Sequence, residues 1–265
     1  MSTGTPRIMG ILNITPDSFS DGGLYYSGGA AEHAVEMAEA GADIIDIGGE
    51  STRPGSDPVS PQEQIGRIVP VIRELAPSIS VPISVDTMDP EVARAALDAG
   101  ADIINDVNGL RSEGMLELAS SVGAPVIIMH MNGRPKTMQV RPMEGRVTGT
   151  IAAFLKERCD IAGEYGIKDI TLDPGIGFGK TAEQNMEIIE NVSEFSFGHP
   201  VLIGASRKRF LSEMFPGTDR DEATVRISLR AIENGADIVR VHNVRMMKEA
   251  LQRPDDHADD EYRDQ

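Results

Sequence analysis

The 265-residue chain contains no tryptophan, and only 4% of it is aromatic, so Ile, Val, Leu, Ala and Met must fill its core. One cysteine, Cys159, excludes an intramolecular disulfide and any cysteine-based zinc cluster, which fits a reducing compartment. It reads as an ordinary helix residue. Basic side chains are scarce: 25 Lys and Arg stand against 42 Asp and Glu, for a net charge of −17. Nucleic acid is therefore excluded as a partner, because phosphate backbones are held by basic surfaces. No apolar run approaches the roughly 20 residues that span a bilayer, and no charged-then-apolar leader opens the chain. These absences predict a cytoplasmic protein with no membrane partner.

What is present is a 40% hydrophobic content, enough for a true core, distributed in a regular pattern. Three times the chain writes Gly-Ala-Asp, two apolar residues and a polar one: Gly41 to Asp46, Gly100 to Asn105 and Gly235 to Arg240. Each copy reads as a helix stopped at glycine, a short buried strand, and a polar group at the strand's end. The turn itself is explained as a convenient helix-to-strand connection. The terminal Asp46, Asn105 and Arg240 are candidates for one shared site.

Strand-like runs occur at Arg7–Leu12, Asp43–Ile47, Val81–Val85, Asp102–Asn105, Pro125–Met129, Asp169–Leu172, Pro200–Ile203 and Asp237–Val241. Helical patterns separate them: Ala30–Ala40, Pro61–Leu75, Pro90–Ala99, Gly114–Val122, Thr148–Tyr165, Ala182–Asn191, Asp221–Asn234 and Val244–Leu251. Alternating β and α segments imply a parallel sheet. A doubly wound sheet also accommodates such alternation. Eight near-regular units with polar strand ends favour a closed (β/α)8 TIM barrel of one domain over residues 1–252. The acidic stretch 253–265 reads as a disordered tail.

The strand ends collect Asn13, Asp46, Asp86, Asn105, His130, Asp173, Ser206 and His242. Such a ring is costly in a core and belongs at a ligand cavity. Two look-alikes fail on spacing. Lys180 stands where a dinucleotide fingerprint needs its third glycine, and Pro174 stands where a Walker loop needs its first.

Five segments carry a resemblance. They are Met9 to Gly23, Asp46 to Gly55, Ile83 to Thr87, Leu172 to Lys180, and Gly204 to Lys208. In this order, and spanning about Ile8 to Leu251, they closely resemble the dihydropteroate synthase family. The resemblance implies a barrel enzyme that joins 6-hydroxymethyl-7,8-dihydropterin diphosphate to 4-aminobenzoate with Mg²⁺. It further implies sulfonamides as inhibitors and a homodimer.

By the same resemblance Asp86, Asn105 and Asp173 line the pterin pocket, Lys208 donates to the ring and Arg240 stacks on it. A carboxylate suits adjacent pterin N–H donors, and an amide supplies donor and acceptor together. Thr52 joins the binding set for pterin and diphosphate. Arg53, Arg240 and His242 are the positive groups for the diphosphate, with Asn13 as oxygen ligand to Mg²⁺. Asp86, Lys208, Arg240 and His242 form the expected catalytic set. Phe19, Thr52, Pro54, Phe178, Ser206 and Arg209 are expected around 4-aminobenzoate. His130 is expected to support the site from behind, and Asp46 to support the Thr52–Arg53 loop. Asn243 departs from the aspartate more usual after the histidine. Rival readings are a corrinoid methyltransferase that binds methyltetrahydrofolate, and a pterin-binding paralogue without activity.

Overall fold

The computed structural model describes residues 5–15, 28–51, 56–133, 136–138, 140 and 142–253. Eight strands are β1 (Arg7–Asn13), β2 (Ile44–Gly48), β3 (Ile83–Asp86), β4 (Ile103–Asp106), β5 (Val126–Met129), β6 (Ile170–Asp173), β7 (Leu202–Ile203) and β8 (Ile238–Val241). They pair in parallel in the order β6-β5-β4-β3-β2-β1-β8-β7. A parallel bridge between Leu172 and Val201 joins the two ends and closes the barrel.

The helices are α1 (Gly28–Glu39), α2 (Pro61–Leu75), α3 (Pro90–Ala99), α4 (Met115–Val122), α5 (Thr148–Glu164), α6 (Ala182–Glu190), α7 (Arg209–Met214), α8 (Arg220–Glu233) and α9 (Val244–Gln252). α2 and α3 begin where expected because Ser60 and Asp89 cap free N–H groups just before a first-turn proline. The six-residue α7 and a 3₁₀ turn at Val192–Phe195 were not anticipated.

Most strands start later than their apolar runs suggest, for two reasons. Pro82, Pro125 and Pro200 have no N–H for the ladder. The aspartates of the three repeats are engaged elsewhere. Asp43 Oδ2 accepts from Ile8 N at 2.8 Å, Asp102 Oδ2 from Ile83 N at 2.9 Å, and Asp237 Oδ2 from Val201 N at 2.8 Å. In return, each aspartate's own N–H donates to the carbonyl of that same residue. The repeat thus clips the start of a neighbouring strand with two reciprocal bonds. Its glycine, at φ 102°, 115° and 107° in the three copies, occupies the left-handed region.

Two apolar clusters lie between strands and helices, one on each half of the barrel. A third fills the barrel interior with Met9, Ile44, Ile127, Leu202 and Ile238. Side chains alternate faces along a strand. Two residues beyond those apolar positions, the inward side chains include Ile11, Asp46, Met129 and Arg240, with Asn105 following the partly buried Ile103. An apolar floor therefore carries a polar layer at the C-terminal ends of the strands, where a barrel places its chemistry.

Candidate active site

Strand register sets the first row of the site. Asn13 lies opposite Gly48, Gly48 opposite Asp86, and Asp86 opposite Asn105. A methyl group built on Gly48 would sit 3.5 Å from both Asn13 Oδ1 and the Asp86 Cβ. Glycine at 48 thus keeps Asn13 and Asp86 next to an open position. Asp173 follows on β6, in register with Met129.

The three polar residues that end the repeats do converge. Arg240 Nε donates to Asp46 Oδ2 at 2.6 Å, and Asn105 Nδ2 reaches both oxygens of Asp46 at 3.2 and 3.3 Å. Arg240 Nη2 donates to Asp86 Oδ2 at 2.9 Å. Asp46 is wholly buried, and among the described residues its partners are Asn105 and Arg240 within the barrel; the Thr52–Arg53 loop it was expected to support lies outside the described residues.

These contacts divide the electrostatics. Burial disfavours the Arg240 charge, but Asp46 and Asp86 more than offset that and hold it above the ordinary guanidinium range. Burial lifts the Asp86 carboxyl to about 7 against the pull of Arg240. Its Oδ1 is buried without a hydrogen-bond partner. Burial also raises Asp173, with Lys208 opposing; Asp173 Oδ1 accepts from Gly175 N at 2.7 Å.

The loop after β6 supplies a second wall. Lys208 Nζ donates to the Ile176 carbonyl and lies 4.4 Å from the Phe178 ring centroid. Burial lowers Lys208 to about 7, although Asp173 favours its charge. Lys180, which stands where a dinucleotide fingerprint needs its third glycine and ends the Leu172–Lys180 segment, is 3% exposed. Its ammonium donates to the carbonyls of Gly175 at 2.7 Å, Phe178 at 3.1 Å and His130 at 3.4 Å. It pins the loop that carries Ile176 and Phe178. Gly175 is obligatory there, since an added Cβ would fall 1.9 Å from the His130 carbonyl oxygen. Phe178 also joins Val107, Met129, Met131 and Met138 in an apolar cluster that the sequence did not reveal.

Ser206 Oγ lies 2.9 Å from His242 Nδ1 and accepts the His242 backbone N–H at 3.2 Å. His130 packs edge-on against Phe154, and burial pushes it down to about 3, so it stays neutral. Arg209 is not drawn into the cluster: its side chain is 94% exposed and faces Glu213 at 3.3 Å on α7. Phe19, Thr52, Arg53 and Pro54 lie outside the described residues. Among the described residues, no group of three or more His, Cys, Asp or Glu is placed to hold a metal.

A carboxylate–guanidinium–amide layer, backed by an aromatic ring and a lysine, is suited to a flat, polar-edged heterocycle. Comparison with known proteins agrees. The family described as pterin binding enzyme matches residues 9–242. A dihydropteroate synthase of Synechocystis sp. is 47% identical over 248 residues, covering 91% of this chain and 86% of that protein. The structure of Xanthomonas albilineans dihydropteroate synthase with 4-aminobenzoic acid superposes with a TM-score of 0.87 at 41% identity, covering 93% of this chain and 91% of that one. The Yersinia pestis dihydropteroate synthase in complex with a sulfonamide drug gives a TM-score of 0.87 at 41% identity, covering 94% and 92%. The chain belongs to the pterin binding enzyme family, and within it to the dihydropteroate synthases.

Proposed function

We propose that the chain condenses 6-hydroxymethyl-7,8-dihydropterin diphosphate with 4-aminobenzoate, releasing 7,8-dihydropteroate and diphosphate. The observation that carries this reading is the Asp86 carboxylate. One oxygen is held by Arg240, and the other is buried without a donor beside Asn105. Buried polar atoms of native proteins are paired, so an orphaned acceptor in this polar layer points to a ligand N–H. Asp173, with one oxygen engaged by Gly175, has its second for the same heterocycle.

The dihydropterin ring is electron-rich and stabilises a cation on its exocyclic methylene as the diphosphate departs. Arg240 as a preorganised cation and His242 as an N–H donor face the growing negative charge of the leaving group, and such groups lower that barrier without reorganising. The arylamine is neutral at physiological pH, so its attack requires no strong base. Ser206 and the Lys208–Phe178 pair are the nearest described groups for the aminobenzoate. Arg209, exposed on α7, has no described contact of its own with these groups.

Asn13 suits Mg²⁺ as a hard oxygen donor, and its carboxamide makes no hydrogen bond among the described residues. One protein oxygen is consistent with an ion whose remaining positions are filled by phosphate oxygens and water. The ion when bound supplies charge to neutralise the diphosphate. Cytoplasmic location and a homodimer complete the reading. Support comes from family membership.

Purified chain supplied with Mg²⁺, the pterin diphosphate and 4-aminobenzoate should release diphosphate and form dihydropteroate. Pterin binding without product would favour the inactive paralogue. Asp173→Asn should weaken pterin binding tenfold or more, since a charged hydrogen bond is worth about 1.5–3 kcal/mol. Unchanged affinity by calorimetry would remove Asp173 from the pocket.

A further inference from the structure

We infer that Asp221 is a positioning residue for His242, closing a ring of contacts that locks the turn of Ser206, Arg207 and Lys208 against the His242–Asn243 turn. The inference rests on reading Ser206, Lys208 and His242 as substrate-facing groups.

Arg207 stands between Ser206 and Lys208 with φ 56°, a left-handed conformation uncommon for any residue but glycine. Two contacts hold it there. Its N–H donates to Thr224 Oγ1 at 3.1 Å, and its guanidinium grips Asp221 with Nε at 2.6 Å and Nη2 at 2.8 Å. Asp221 Oδ2 also accepts from Asn243 Nδ2 at 3.1 Å. Asn243 follows His242 in sequence and caps α9 through Oδ1 to Met246 N at 3.1 Å. His242 then returns to Ser206 through its ring and its backbone N–H, so the circuit closes. The charges agree with this geometry. The bond to Asp221 raises Arg207 above its ordinary range, and the bond to Arg207 lowers Asp221 below its own.

The circuit has two consequences. Asn at 243 supplies the N–H that Asp221 accepts, whereas Asp there would oppose two carboxylates. In addition, the Ser206 hydroxyl already accepts the His242 backbone N–H. Its own proton is then available to Nδ1, an arrangement in which a neutral imidazole carries its proton on Nε2.

Long-range ¹H–¹⁵N spectra of the ligand-free full chain report which ring nitrogen of His242 is protonated, and steady-state kinetics report the consequence. The wild type should show the Nε2–H form. Asp221→Ala and Asn243→Asp should each give a mixture of tautomers. Each should also lower kcat tenfold or more, with KM for 4-aminobenzoate changing less than threefold. Asp221→Glu keeps a carboxylate for both the Arg207 and the Asn243 donors. It should stay closer to wild type in kcat than Asp221→Ala does. Wild-type spectra and kcat in both single variants would overturn the inference. An Asp221→Glu variant no better than Asp221→Ala would do so as well. The spectra need no substrate, so a wild type without turnover would refute the proposed reaction and leave the positioning result readable.

Discussion

Asp46 and Arg240 are 194 residues apart in sequence and 2.6 Å apart in the barrel, Nε to Oδ2. The carboxylate is fully buried and serves Asn105 as well. Removing it leaves a buried guanidinium with Asp86 as its remaining charged partner, and an amide without its acceptor. Breaking a buried pair from one side costs about 3–5 kcal/mol. Asp46→Ala should therefore lower unfolding free energy by about 3 kcal/mol, and Asp46→Asn by less, because the amide oxygen still accepts. Urea unfolding checks this; a loss under about 1 kcal/mol for the alanine variant would mean that Asp46 is a bystander.

Asp106 and Lys180 give the ligand-free chain an unusual pH dependence. Burial raises the Asp106 carboxyl to about 7 despite hydrogen bonds from the Asn108 and Leu110 N–H groups. In the unfolded chain it titrates near 3.9, roughly the value of a free aspartate. Between those values the folded state binds a proton that the unfolded state has lost. Stability from this group is thus full in acid and declines as pH rises from about 4 to about 7. Lys180, lowered by burial to about 7, acts in the opposite sense: the unfolded chain holds its proton up to about 10.4, so stability climbs above neutrality. Together they place a minimum near pH 7. Asp106→Asn should flatten the decline on the acid side, measured by melting temperature across pH at fixed ionic strength. A slope equal to that of wild type would contradict the burial argument.

The reciprocal clips at the other end of the barrel are structural and should leave the chemistry alone. Asp102→Ala strips the acceptor from the Ile83 N–H at the start of β3. The loss should be about 1 kcal/mol, the net worth of a typical partly exposed bond, with KM for both substrates unchanged. Equal losses of stability and of pterin affinity would show that the strand's two ends are coupled.

How far the sequence discloses this molecule varies with the kind of signal. α2 and α3 are legible to the residue because caps, prolines and the left-handed Gly100 punctuate them. The closed barrel is legible in eight near-regular β–α units with polar strand ends, not in the alternation alone. Asp86, Asn105, Asp173 and Arg240 are legible as polar residues closing strand-like runs or repeats, and their roles through the resemblance of the segments around them. Lys180, the methionine cluster around Phe178, and Asp221 are not. Their roles come from side chains crossing between loops, and no local period encodes that. α7 escapes notice because six residues are too few to show a helical stripe. Asp46 is legible by its repeat, but its bonds to Asn105 and Arg240 are not, since those residues lie two strands away on either side.

The Gly-Ala-Asp repeats carry two duties on one short strand. The aspartate three residues before the terminal polar group ties down the base, and the terminal group enters the cavity. Asp102 and Asn105 show the separation, with only Ile103 and Ile104 between them. Such a segment tolerates exchange of side chains far better than change of length. Deleting one residue between the two would turn Asn105 from the cavity toward the helices, since a single step reverses every face of a strand. These stretches should therefore be among the least forgiving of insertion or deletion in the whole chain, however freely their apolar residues interchange.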